Sequence, residues 1–156
     1  MVFSSKKALK ADIEKRAKVA LNDLITKIYD ELQSFIQQDI YDTYSPKQYE
    51  RTFDFKNKAW VTSVKKVSSQ IVGKIYYDGM RMTYNPHKFQ HIDRENLAEI
   101  LNNTIKNPKL YWDDWTMGRD PWPDPYWDHT LTWLEIQWKG LVAECFGKAG
   151  IKLNVK

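Results

Sequence analysis

The chain has one cysteine, Cys145, among its 156 residues. No disulfide can form within a single copy, so a reducing compartment is the natural expectation. It also has no apolar run close to the roughly 20 residues needed to span a bilayer, which argues against a membrane protein. The charged start, with Lys6, Lys7 and Lys10, is followed by no apolar core of a secretory leader. Synthesis and assembly in a cytoplasm follow as an expectation. Glycine and proline are scarce, six of each. No Gly-rich phosphate loop, Walker pattern or serine nucleophile elbow appears. A strong excess of one charge is missing too, since the net charge is only +4.

What is present suits an ordinary globular protein. Hydrophobic residues make up 42% and charged residues 28%, outside the range of disordered chains. A chain of this length buries roughly 70% of its unfolded surface, enough for a core without metals or disulfides. Residues 1–156 therefore read as a single domain. Aromatics are abundant at 14%, with seven tryptophans.

Apolar residues at Leu9, Ile13, Ala17, Leu21, Leu24, Ile28, Leu32, Phe35 and Ile40 step by three and four. That spacing predicts a long N-terminal helix capped by Ser4 or Ser5 and running towards Pro46. At 1.5 Å per residue it would extend on the order of 50–60 Å, so either one end projects or the helix bends. Residues 45–58 read as a connector. From Trp60 to Tyr84, β-branched and aromatic residues predict two or three antiparallel strands. Gly73 marks a bulge or a close backbone approach, and Asp78-Gly79 is the turn signal. A short helix is expected from about Arg94 to Ile105, capped by Asp93 and burying Leu97, Ile100 and Leu101.

A Trp/Pro-rich stretch at about 107–128 follows. Its prolines exclude a helix or a central strand, and an irregular segment of that length is usually functional. A second helix is expected from His129 to Ala149, capped by Asp128. Its apolar face holds Leu131, Leu134, Trp138, Leu141, Val142, Cys145 and Phe146, and Gly150 is its C-terminal cap. Ile151, Leu153 and Val155 alternate as a short final strand would. The fold class is α+β: a long N-terminal helix, a small antiparallel sheet, a C-terminal helix and that last strand.

Chemistry is thin. His87 and His91, with Asp93 nearby, have the four-residue spacing of a zinc pair, but Pro86 places them in a loop and no second ligand cluster exists. His129 reads as a first-turn helix residue. Cys145 sits on an apolar face, where thiols are usually inert. Asp113, Asp114, Asp120, Asp124 and Asp128 alternate with Trp112, Trp115, Trp122 and Trp127. Carboxylates beside aromatic platforms occur in glycosidases and in carbohydrate-binding modules. The plainer reading has the tryptophans anchoring the segment while the aspartates cap turns. The lysines of the first helix, with Arg16, offer a nucleic-acid surface or simply a solvated face. Acidic Asp12, Glu14 and Asp23 interrupt them. No catalytic set, metal or cofactor is expected, so the chain reads as a non-enzyme.

Two stretches carry a resemblance. One is Tyr44-Ser45-Pro46-Lys47-Gln48-Tyr49-Glu50-Arg51-Thr52, directly after the long helix. The other is Ile75-Tyr76-Tyr77-Asp78 with Met82-Thr83-Tyr84-Asn85-Pro86-His87-Lys88-Phe89-Gln90-His91, ahead of the Trp/Pro segment. In this order of elements the chain resembles the head–tail joining, or neck and tail-completion, proteins of phages of Gram-positive bacteria. Pro46, Tyr49, Arg51 and Thr52 lie in the family's turn motif, and Phe53 stands where a glycine is often found. Arg119-Asp120-Pro121-Trp122 is similar to a Trp-Arg-x-Pro-like segment of closer relatives. The resemblance implies a structural virion subunit at the head–tail junction, assembled in the host cytoplasm. It implies a ring of identical copies, partners on the portal and adaptor side and on the tail side, and passing contact with DNA in the channel. It implies no catalytic residue. Trp112, Trp115, Trp122, Trp127 and Arg119 are the interface candidates, because large rigid side chains dominate interface energetics.

Overall fold

The computed structural model describes residues 5–42, 53–83, 97–106 and 126–153. The fold is α+β and mostly helical. Its elements are α1 (Lys6–Ile36), a π-helical turn (Gln37–Tyr41), α2 (Asp54–Asn57), β1 (Trp60–Val67), β2 (Gln70–Tyr77), a 3-10 turn (Gly79–Arg81), α3 (Leu97–Lys106) and α4 (Tyr126–Lys148). The two strands pair as one small antiparallel hairpin. The chain gathers into two compact units. Unit 1 comprises Met1–Tyr29, Thr62–Ile75 and Trp133–Lys156, and unit 2 comprises Asp30–Val61 and Tyr76–Thr132. Helix α1, the hairpin and α4 each contribute residues to both.

In unit 1, Ser5 starts α1 as expected: its Oγ accepts the Ala8 N–H at 3.2 Å, supplying one of the free first-turn donors with a partner. The apolar stripe of α1 meets the hairpin at Gly73. A Cβ placed there would lie 2.7 Å from Ile25 Cγ1 and 3.2 Å from Leu21 Cγ, so Gly73 is the close backbone approach the sequence indicates. Among the described residues of this unit, Ala20, Ile25 and Cys145 are the buried apolar ones. Gly150 ends α4 with φ +74°. The Gly150 N–H bonds Gly147 O and the Ile151 N–H bonds Phe146 O, both at 2.9 Å. These are the paired bonds of a Schellman cap, which a left-handed glycine completes without steric cost.

Unit 2 carries the denser core: Leu32, Ile36, Phe55, Ala59, Trp60, Met82 and Tyr126 are all buried. Past Ile36 the α-helical ladder gives way to one wider turn, where the Asp42 N–H reaches Gln37 O at 2.9 Å. The Gln37 side chain then bridges two partners. Its Nε2 donates to Asp42 Oδ1 at 2.7 Å, and its Oε1 accepts from Lys56 Nζ of α2 at 2.8 Å.

Several expectations need correcting. The hairpin turns at Ser68-Ser69, not at Asp78-Gly79. Ser68 takes the positive φ, +55°, that such tight loops demand of a central residue. Gly79–Arg81 forms a 3-10 turn, so Met80 and Met82 do not continue a third strand. Helix α4 begins at Tyr126, before Asp128, which therefore lies in the first turn rather than at the cap. Ile151–Leu153 form no strand, the described sheet consisting of β1 and β2 alone, and Val155 lies outside the described residues. On the expected apolar face of α4, Cys145 is buried, but Leu131 and Trp138 are exposed. Asp93 and most of the 107–128 segment lie outside the described residues.

Candidate functional site

Of the residues singled out in the sequence, Trp112, Trp115, Arg119, Trp122, Pro46, Tyr49, Arg51 and Thr52 lie outside the described residues, as do His87 and His91. Trp127 is described. It sits half-buried on the first turn of α4, and its ring stacks on Trp60 with centroids 5.8 Å apart and planes 16° from parallel. Trp127 is thus an anchor of the aromatic core of unit 2. Trp60 also meets Tyr126 edge-on at 6.1 Å and Tyr77 at 5.5 Å. Phe55 contacts Trp60, Tyr77 and Tyr126. Edge-to-face and offset pairs of this kind add about 0.5–1.5 kcal/mol each beyond the area they bury. Tyr126 joins this cluster to α3 by donating its hydroxyl to Ala98 O at 2.9 Å. Burial, helped by Tyr77, holds its phenol proton well above the ordinary pKa.

Two buried aspartates sit beside the aromatic cluster, and neither was legible as a site. Asp54, 4% exposed, opens α2. Its Oδ2 accepts the Thr83 N–H at 2.8 Å and also the Thr83 hydroxyl, while Lys58 Nζ lies 2.8 Å from Oδ1. The carboxylate thereby fixes the chain after the 3-10 turn to the start of α2. Phe53, just before it, has φ +56° and stacks on Tyr41 at 4.6 Å. Phe53 therefore adopts the left-handed backbone that glycine favours.

Asp39, fully buried, projects from the π-helical turn. Its Oδ2 lies 2.8 Å from His129 Nδ1, and Phe35 packs against the imidazole at 5.2 Å. A carboxylate holding one ring nitrogen fixes the orientation of the imidazole, in catalytic dyads and structural ties alike. Among the described residues no group of three metal-ligating side chains forms. Here the pair ties the end of α1 to the start of α4.

The surface of unit 1 is of a different kind. From Glu135 to Gly140 every residue of α4 is exposed, with Ile136 72% and Trp138 40% open to solvent. Leu9, Ile13 and Val19 of α1 and Val67 at the hairpin tip are exposed as well. Lys66 bonds Glu14 at 2.6 Å and holds its carboxyl below the usual carboxylate range. Lys148 and Lys27 do the same for Glu144.

A model of the YomN family matches residues 5–148. The chain belongs to the YomN family. This family derives from Bacillus phages, so the phage origin read from the sequence stands. The match runs from the first turn of α1 to the last residue of α4 and takes in both units of this YomN-family chain. No match was found among curated proteins or among solved structures. No helix of the described residues is long and apolar enough to cross a membrane.

Proposed function

We propose that this protein is a non-enzymatic structural subunit of the phage virion neck, where it joins the DNA-filled head to the tail as a ring of identical copies. Its partners are its own copies and the portal-side and tail-side proteins of the particle. The observation that carries the reading is the set of large apolar side chains that unit 1 leaves exposed, among them Ile136 and Trp138 of α4. In an assembled ring a neighbouring copy covers such side chains. Membership of a phage-derived family supports the same reading.

Deleting the gene from its parent phage and imaging the lysate by electron microscopy tests it. The expected result is filled heads lying beside separate, full-length tails. Intact infectious particles would remove the joining role.

A further inference from the structure

The part of the hairpin that lies in unit 1 is thinly supported. None of its residues from Thr62 to Ile75 is buried. Among the described residues no third strand lies beside it, and a two-stranded ribbon relies on other elements for its stability. Helix α1 supplies contacts at Gly73 and through the Lys66–Glu14 pair. Counting from the Ser68-Ser69 turn, facing residues alternate between pairs that exchange both ladder bonds and pairs that exchange none. The bond from the Asp78 N–H to Ala59 O at the open end fixes the phase. Thr62, Val64 and Lys66 belong to the second class, so their N–H and C=O groups point outward along the edge of β1. Strand β1 has eight residues and no proline. The two strands are equal in length and keep step from the turn to that bond, so no bulge interrupts the edge. Lysines are its one protection against further pairing.

We propose that the edge of β1 is a docking site for an extended acidic segment of another protein, which adds to the sheet as a third strand. Two properties of the edge select that occupant. The first is its backbone. It offers N–H donors and C=O acceptors in alternation, which a second peptide backbone matches in full. Phosphate oxygens take hydrogen bonds from N–H groups but give none to carbonyls, so nucleic acid would leave half of the edge unpaired. The second is charge of one sign. Strands β1 and β2 hold Lys65, Lys66 and Lys74 and no Asp or Glu. Lys66 is engaged by Glu14 at 2.6 Å. Lys65 and Lys74 are exposed, and the pleat puts them on the face opposite Gly73. A second copy brings only lysines to the contact, and like charges facing each other across strands are destabilising. Carboxylates at alternate positions of an incoming strand would meet Lys65 instead. Val67, 56% exposed, gives the same face an apolar contact. The site stands on the hairpin alone and does not depend on where the protein sits in the particle.

The test uses the full chain and a peptide as long as β1, eight residues, in which glutamate alternates with valine and both ends are blocked. A peptide alternating lysine with valine is its counterpart. Binding is followed by amide NMR. The glutamate peptide should bind, more weakly as salt rises, and should slow hydrogen exchange at the Thr62, Val64 and Lys66 amides. The lysine peptide should not bind. Lys65→Glu should weaken the glutamate peptide roughly tenfold and admit the lysine peptide. Val64→Pro removes one outward N–H and no bond of the hairpin. It should abolish binding while thermal unfolding stays unchanged. Where that proline disturbs the strand, the exchange of peptide preference at Lys65 decides. A glutamate peptide that does not bind, equal binding of both peptides, or protection of amides elsewhere in the chain would each overturn the proposal. So would protection of the same three amides as the concentration of the protein alone rises, which makes a second copy the occupant. Protection by a DNA oligonucleotide would overturn it too, in favour of nucleic acid.

Discussion

Asp54 has lost nearly all of its water and received three donors in return: the Thr83 N–H, the Thr83 hydroxyl and Lys58. Hydrogen bonds to a charged group are worth about 1.5–3 kcal/mol each. Lys58 is half exposed and adds little. Asp54→Ala is therefore expected to lower the unfolding free energy by about 3 kcal/mol in urea titration, and Lys58→Ala by under about 1 kcal/mol. Cys145 gives a pH prediction. Burial first, then the Asp23 carboxylate, pushes its thiol from an ordinary value near 9 up to about 11. The native state keeps the proton over a range in which the unfolded chain has released it. Stability should therefore fall as pH climbs from about 9 towards 11, and Cys145→Ala should flatten that slope in thermal melts. The packing role of Cys145 was legible from its place in a three-and-four apolar spacing. Asp39 and Asp54 were not, because an aspartate in a sequence signals a turn or a wet surface until its partners are known. His129 was placed correctly as a first-turn residue, yet ninety residues separate it from Asp39, the carboxylate that holds it.

The elements were legible where local chemistry decides them. The cap at Ser5, the long periodic α1 and the glycine stop of α4 all depend on neighbours a few residues apart. Gly73 was legible as a site of close approach, and the element it meets gives a direct test. Adding one methyl at Gly73 drives it into Ile25 Cγ1, and Ile25 is itself buried. Overpacking of this kind costs about 1–3 kcal/mol. Gly73→Ala should show that loss in chemical denaturation, and pairing it with Ile25→Val should recover part of it. The hairpin turn was misplaced because Asp-Gly is the stronger local turn signal, whereas register is set by what each face of the strands packs against. The exposure of Leu131 and Trp138 had no local signature at all. The spacing of α4 reports which residues are apolar, not how much neighbouring structure covers them.

At the scale of the molecule, the gathering of basic residues in unit 1 was hidden by the order of the chain. Basic residues at the start, in the hairpin and near the end lie far apart in sequence and come together in one unit. The same interleaving governs when the protein can fold. Unit 1 is closed by residues from Trp133 onward, and the chain passes between the units four times along its length. Contacts of such long sequence separation form late, since the entropy of loop closure must be met before they contribute. Helix α1 precedes α4 in the chain, so its stripe lacks that cover until α4 has been made. The surface of unit 1 is therefore completed only when α4 joins it, so a chain cut before Trp133 lacks one of the three segments from which that unit is built.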